Sequence, residues 1–222
     1  MLKAILFDLD NTLIDFIGMK KISCQAAISA MIDAGLQMDA DKAYDRLFKL
    51  YDVHGIEHQQ IFQKFLVEVH GKIDYKILSR GIAAYRKMQA GYLEPFPRVR
   101  STLIALREDG LKLGIVSDAP RLRAWLRLAE MGLTDFFDVV VTLDDTGQLK
   151  PSALPFNAAL ENLKLSPKEV LFVGDNPERD ILGAKDMGMI TALAKYGQVF
   201  PDAGVKADYE LKSISDLLKI KK

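Results

Sequence analysis

Five short apolar runs with no polar alternation constrain what this chain can fold into: AILF (4–7), LGIVS (113–117), VVVT (139–142), VLFVG (170–174) and MITALA (189–194). A strand with one wet face alternates apolar and polar residues, so continuous runs suit a parallel sheet buried on both faces. Helix-period segments separate the later runs: RLRAWLRLAEMG after the second, LPFNAALENLK after the third and ERDILGAKDMG after the fourth. Gly132 and Gly188 stand where the first and last of these should stop, because glycine tolerates the left-handed turn that ends a helix. This β-then-α rhythm predicts an α/β fold built on a doubly wound, Rossmann-like parallel sheet.

Residues 16–94 break the rhythm. They contain no convincing strand, yet Ala27/Ile28/Met31/Ile32, Leu47/Leu50/Tyr51 and Ile61/Phe62/Phe65/Leu66/Val69 each recur at the spacing of one apolar helix face. An interval that long is far beyond an ordinary connection between two strands. The expectation is an inserted helical domain over 16–94, with the α/β core made of 1–15 and 95–222.

Composition narrows the function classes. Lys+Arg and Asp+Glu are both 30, so no global field draws the protein to nucleic acid, and no basic run suggests one. A single cysteine, Cys24, excludes an intrachain disulfide framework and suits a reducing compartment. Asp8 and Asp10 interrupt the apolar N-terminal run, which therefore lacks a signal-peptide core. No stretch reaches the roughly 20 apolar residues of a membrane helix. The expected setting is the cytoplasm, with no membrane or nucleic-acid partner. Apolar faces on the inserted helices leave monomer and homodimer both open.

In an open parallel sheet, ligands bind beyond the carboxyl ends of the strands, so polar residues at those ends are the candidates. The first run delivers Asp8 and Asp10, the second Ser117 and the fourth Asp175, with Asp180 five residues on; Lys150 follows the third. Like charges as close as Asp8 and Asp10 repel and resist leaving water. With Asp175 they make a hard oxygen site of the kind Mg²⁺ prefers, and the ion would offset their repulsion. Lys150 and the Ser117 hydroxyl suit phosphoryl oxygens whose charge redistributes in a transition state. A carboxylate can attack phosphorus; Asp8 at the strand tip is the nucleophile candidate, and Asp10 the acid that protonates the leaving alcohol and later activates water. Thr12 reads as a turn residue whose hydroxyl could orient Asp10.

DLDNTL (8–13) resembles the first motif of the haloacid dehalogenase superfamily, and GIVSD (114–118), LKP (149–151) and VGDNPERD (173–180) resemble its second, third and fourth in the same order. DILGAKDMGM (180–189) resembles the helix that follows in the subfamily with a helical cap, and 16–94 takes the place of that cap. The resemblance implies Asp8 as nucleophile and Mg²⁺ ligand, Asp10 as acid/base that binds metal through its carbonyl, and Ser117 and Lys150 as phosphate ligands. It also implies Asp175 as a metal ligand, with Asp180 supporting the metal directly or through water. It points to a phosphoric monoester hydrolase acting on a small phosphorylated metabolite, as phosphoglycolate and archaeal glyceraldehyde-3-phosphate phosphatases do, with the cap closing over the rim to set selectivity. One departure is Asp118, where asparagine is common in the family; a carboxylate there must point away from phosphate or serve the substrate.

Other readings compete. A 2-haloacid dehalogenase also uses an attacking aspartate, but halide leaves without a proton and Asp10 would have no task. A phosphomutase would need a bisphosphate and a persistent aspartyl-phosphate. Outside enzymes, a phosphorylatable receiver module combines acidic residues, a hydroxyl and a lysine, but its acceptor ends the third strand and it carries no long helical insertion. His54, His58 and His70 lack metal-ligand spacing and read as surface. Cys24 reads as core, and Trp125 among alternating arginines as packing beside a solvated face. Lys20 and Arg46 of the inserted helices could meet a second anionic group on the substrate, but basic residues there are mostly solvated, and that is the reading taken for both.

Overall fold

A computed structural model describes residues 1–202 and 204–220. The chain forms two compact units, one of residues 1–17 and 93–222 and the other of residues 18–92.

In the first unit, β1 (Ala4–Phe7), β2 (Lys112–Val116), β3 (Val139–Val141), β4 (Val170–Gly174), β5 (Ile190–Ala194) and β6 (Tyr209–Leu211) form one sheet in the order β3-β2-β1-β4-β5-β6. Every pairing is parallel. The five apolar runs are the first five strands. The sixth strand, YEL, escapes a hydrophobicity reading because only Leu211 of its three residues is buried.

Both faces of the central strands are buried, as the unbroken apolar runs require. On one face Leu6, Val116 and Phe172 pack with Phe156 and Leu160 of a helix over Ala153–Leu163, and the rings of Phe156 and Phe172 meet edge-on at 5.0 Å. The alternate residues Ile5, Phe7, Ile115 and Val173 are equally buried. A helix over Val99–Glu108 packs against β2 and against a 3₁₀ segment at Ile214–Lys219. The segment after β4 departs from the expected regular helix. Pro177–Leu182 forms a π-type turn, and only Gly183–Asp186 is α-helical. Such wide turns recur at functional sites, because they re-aim a side chain without ending the helix.

Register brings the strand tips to one level. Phe7 lies opposite Ile115 and Val173, so the residues just beyond these tips emerge together on one rim. Asp8 N–H still donates to the Val173 carbonyl (2.8 Å) and Ser117 N–H to that of Val141 (2.9 Å), which ties the first candidate residues to the sheet.

The second unit consists mainly of helices Phe16–Asp33, whose first two residues belong to the first unit, Ala40–His54, Ile61–His70 and Tyr75–Tyr92. Gly55 and Gly71, both at positive φ, follow the second and third. Its core is made by the residues the helical spacing singles out, including Ile28, Met31, Leu47, Phe62, Phe65 and Leu66, and Cys24 lies among them. His54 and His70 are exposed and His58 is half-buried. Arg46 is half-exposed and pairs with Glu68. Lys20 corrects the expectation of a solvated lysine. It is 7% exposed, with its ammonium 4.5 Å from the Tyr51 ring centre and 5.3 Å from that of Tyr85. Aromatic faces offer a cation an attraction that survives desolvation.

Candidate active site

The residues just past β1 are held as a tight loop. Asn11 has φ 59°, a left-handed conformation that asparagine tolerates better than most residues, and its side chain accepts the Ile17 N–H (3.0 Å). Leu13 N–H returns to the Leu9 carbonyl at 2.9 Å. From outside, Tyr196 Oη donates to the Thr12 carbonyl (2.8 Å), and a Cβ on Gly197 would overlap the Asn11 carbonyl. Tyr196 and Gly197 follow β5 and buttress the loop. Residue spacing did not single them out, although a Tyr-Gly pair one residue beyond a buried strand was the available signal. The Thr12 hydroxyl faces Asp8, not Asp10, over a long 3.5 Å contact.

Lys150 organises the centre. Its ammonium is buried and donates to Asp8 Oδ1 (2.6 Å) and to the Val116 carbonyl (2.9 Å), and it lies 2.7 Å from Asp180 Oδ1. Asp180 reaches this position because Gly174 has no side chain; a Cβ there would collide with the carboxylate. The second Asp180 oxygen accepts the Asn176 N–H at 3.0 Å. Burial opposes the Lys150 charge, but Asp180, Asp8 and Asp118 outweigh it and hold the ammonium's pKa above its ordinary value. Ser117 is buried beside this group, and its Oγ accepts the Ala119 N–H (3.2 Å), which leaves the hydroxyl proton to be donated.

Asp118 points into the protein's own framework. One oxygen accepts the Lys150 backbone N–H (2.9 Å), fixing the loop that carries the lysine, and the other pairs with Arg179 at 3.1 Å. That answers the problem of a carboxylate at this position, because its charge is met by a guanidinium.

Asp8, Asp175 and Asp180 each offer an oxygen within 4.8 Å of the others, and all three are buried. Both Asp175 oxygens are buried with no hydrogen-bond donor among the described residues. Burial, then the charges of Asp8 and Asp180, push its pKa well above the usual carboxylate range. Asp8 is raised chiefly by burial, against the opposing pull of Lys150. Three carboxylates face one ammonium here, and a buried anion without a partner costs several kcal/mol. An oxygen-only, electron-rich set with an orphaned carboxylate fits a hard divalent cation. Asp10 is not one of these three carboxylates, although its charge acts on Asp8; its side chain pairs with Arg127, whose Nη1 is 2.5 Å from Asp10 Oδ2.

The six sequence-derived residues thus separate. Asp8, Lys150, Asp175 and Asp180 converge with Ser117 beside them, while the Asp10 carboxylate pairs with Arg127. Arg127 was missed. The arginines around Trp125 suggested a solvated face, but Arg127 shares the buried stripe of Ala124 and Leu128, and that i, i+3, i+4 spacing was its signal. Trp125 itself is 40% exposed.

The sequence profile of the haloacid dehalogenase-like hydrolases matches residues 5–194. The chain belongs to that family. Among its relatives, a glyceraldehyde 3-phosphate phosphatase of Methanocaldococcus jannaschii is 36% identical over all of this chain and 98% of its own length. One of Pyrococcus abyssi is 35% identical over 99% of this chain and 94% of its own. The pyrophosphatase PpaX of Bacillus cereus is 32% identical over 99% of this chain and 96% of its own. Among solved structures, a haloacid dehalogenase family phosphatase from Thermococcus onnurineus superposes with a TM-score of 0.72 at 27% identity, covering 98% of this chain and 97% of its own. A 2-haloacid dehalogenase from Pseudomonas syringae pv. tomato shares the fold at 23% identity, with a TM-score of 0.66 over 99% of this chain and 97% of its own. This haloacid dehalogenase-like hydrolase has no helix, among the described residues, long and apolar enough to cross a membrane.

Proposed function

We propose that this hydrolase is a Mg²⁺-dependent phosphatase that cleaves a small phosphate monoester through an aspartyl-phosphate, with triose phosphates as the substrate class. The observation that carries the reading is the Lys150 ammonium spanning Asp8 and Asp180 (2.6 and 2.7 Å) beside an Asp175 carboxylate with no donor of its own. A lysine held by three oxygens is a preorganised positive charge, and such a charge stabilises a phosphoryl group in transit without moving. The triose preference is supported by the glyceraldehyde 3-phosphate phosphatases, similar over the whole chain.

In the first step an Asp8 oxygen attacks phosphorus as the bond to the ester oxygen breaks. That oxygen keeps the electron pair and takes a proton from the Asp10 carboxyl, leaving as the alcohol. Lys150 and Ser117 hold the equatorial phosphoryl oxygens. In the second step water attacks phosphorus, gives its proton to the Asp10 carboxylate, and the Asp8–phosphorus bond breaks with its electrons returning to Asp8. Mg²⁺, held by Asp8, Asp175 and the Asp10 carbonyl with Asp180 alongside, would neutralise the carboxylate surplus and polarise the phosphoryl oxygens. Asp180 serves Lys150 as much as the metal, since its Oδ1 lies 2.7 Å from the ammonium and its Oδ2 accepts the Asn176 N–H. The helical unit acts as the cap and supplies substrate selectivity. A dehalogenase would have no use for a carboxyl acid at Asp10.

The test is phosphate release from glyceraldehyde 3-phosphate, glycolate and sugar phosphates, pyrophosphate and para-nitrophenyl phosphate, with Mg²⁺ or EDTA, for wild type and Asp8→Asn. Turnover lost to both EDTA and the substitution is expected, with the triose phosphate fastest. Wild-type rates in Asp8→Asn would overturn the mechanism. Pyrophosphate as the fastest substrate would replace the monoester reading.

A further inference from the structure

We infer that Arg127 is a positioning residue that sets the orientation of the Asp10 carboxylate and thereby controls proton delivery to the leaving oxygen. This rests on the phosphatase reading above.

The helix over Arg121–Glu130 inverts the ordinary partition of side chains. It leaves Leu126 41% exposed and Leu122 70% exposed, while Arg127 is 5% exposed. Burying a guanidinium has a desolvation cost that an apolar residue of similar size would avoid, and such replacements are often neutral or stabilising. Packing alone therefore does not account for an arginine here.

What the buried guanidinium touches is specific. Its Nη1 is 2.5 Å from Asp10 Oδ2, and its carbon lies 4.2 Å from the Phe16 ring centre. The ring gives the planar cation a flat backing, and the cation gives the carboxylate a fixed partner. The pair is asymmetric: the arginine side chain is 6% exposed and that of Asp10 is 23% exposed. The anchor is sealed in protein, while the aspartate side chain keeps a partly open surface. Asp10 belongs to the short loop after β1, and the guanidinium contact fixes one direction for its carboxylate. A general acid must lie within hydrogen-bond reach of the oxygen it protonates, and a displacement of about 1 Å can cost about 100-fold.

The consequence depends on the leaving group. An alkyl phosphate needs the Asp10 proton as its P–O bond breaks, because an alkoxide is a poor leaving group. Para-nitrophenyl phosphate releases a stabilised phenolate and needs that proton far less. Loss of Arg127 should therefore penalise the alkyl ester selectively. The penalty falls in kcat/KM, which reports the steps through formation of the aspartyl-phosphate.

The experiment measures kcat/KM for glyceraldehyde 3-phosphate and para-nitrophenyl phosphate in wild type, Arg127→Gln, Arg127→Lys, Asp10→Asn and the Asp10→Asn/Arg127→Gln double variant, with melting temperatures beside them. Arg127→Gln should lower kcat/KM about 10- to 100-fold for the alkyl ester and less than about 5-fold for the aryl ester. Arg127→Lys should recover part of the loss, and the double variant should be no slower than Asp10→Asn, since the arginine acts through that carboxylate. Phe16→Leu, which removes the ring and keeps both charges, serves if Arg127→Gln does not fold, and should show the same selectivity more weakly. Equal losses on both esters, or additive losses in the double variant, would overturn the inference alone. An Asp10→Asn variant that treats both esters alike would overturn the acid–base reading and this inference with it.

Discussion

The two compact units bury charge in opposite ways. In the α/β unit, Lys150 is buried against the carboxylates of Asp8 and Asp180, and Arg127 against that of Asp10. In the helical unit, Lys20 lies with its ammonium near the faces of Tyr51 and Tyr85. The first arrangement sets three carboxylates against one ammonium with Asp175 orphaned, which is costly for stability and is the imbalance that the proposed cation would relieve. The second is a packed apolar core in which the Lys20 ammonium lies against aromatic rings. A site that must bind a charged transition state stores electrostatic cost in the free protein, whereas a packing core minimises it.

Substitutions in the two units should therefore separate function from stability. The largest expected effect is Asp8→Asn, which should cut kcat at least about 10³-fold with little change in melting temperature, as removal of a nucleophile does; a steady-state assay beside a melting curve checks it. Phe65→Ala in the helical core should behave in the opposite sense, lowering stability by about 3–5 kcal/mol in denaturant unfolding because a fully buried aromatic leaves a cavity.

Asp175→Asn should abolish metal-dependent turnover yet stabilise the metal-free protein by about 1–3 kcal/mol, since it removes a buried carboxylate that lacks a donor. The same group sets a pH dependence. Its folded pKa is raised, so the metal-free fold keeps a proton that the unfolded chain has already lost. The contribution of this group to stability is fully present below the ordinary carboxylate pKa and is lost as pH rises toward the raised folded value, so Asp175→Asn should remove that part of the pH dependence. Urea unfolding in EDTA across pH checks both. The smallest effect should be Lys3→Ala. It removes the ion pair to Glu169 (2.7 Å), but the lysine is 57% exposed, and the change should be within about 0.5 kcal/mol.

Much of the fold was legible in the sequence because its signals are local. Unbroken apolar runs encode strands buried on both faces, and helical spacing encodes the faces that fill the core of 18–92. Asp8, Ser117 and Asp175 were legible as site candidates because a strand tip is a position sequence can locate. The sixth strand was not, as its pairing with β5 is made by backbone groups and only Leu211 is buried. The π-type turn after β4 was also hidden, since the same apolar spacing suits a regular helix. Asp180 shows how position and partner divide. Its place five residues beyond Asp175 is plain in the sequence, but its pairing with Lys150 depends on Gly174 leaving room.

The sequence by itself determined the parallel α/β architecture, the helical character of the long insertion, and the candidates Asp8, Asp10, Ser117, Lys150, Asp175 and Asp180, because each follows from local spacing or from the end of a strand. The tertiary structure decided the partners. Asp10 turns to Arg127, Asp118 is met by Arg179, Tyr196 and Gly197 brace the loop at Asn11 and Thr12, and Asp175 is left without a donor. These contacts join residues far apart in the chain. Their geometry is set by strand register and by the room left at single glycines, which residue spacing does not carry.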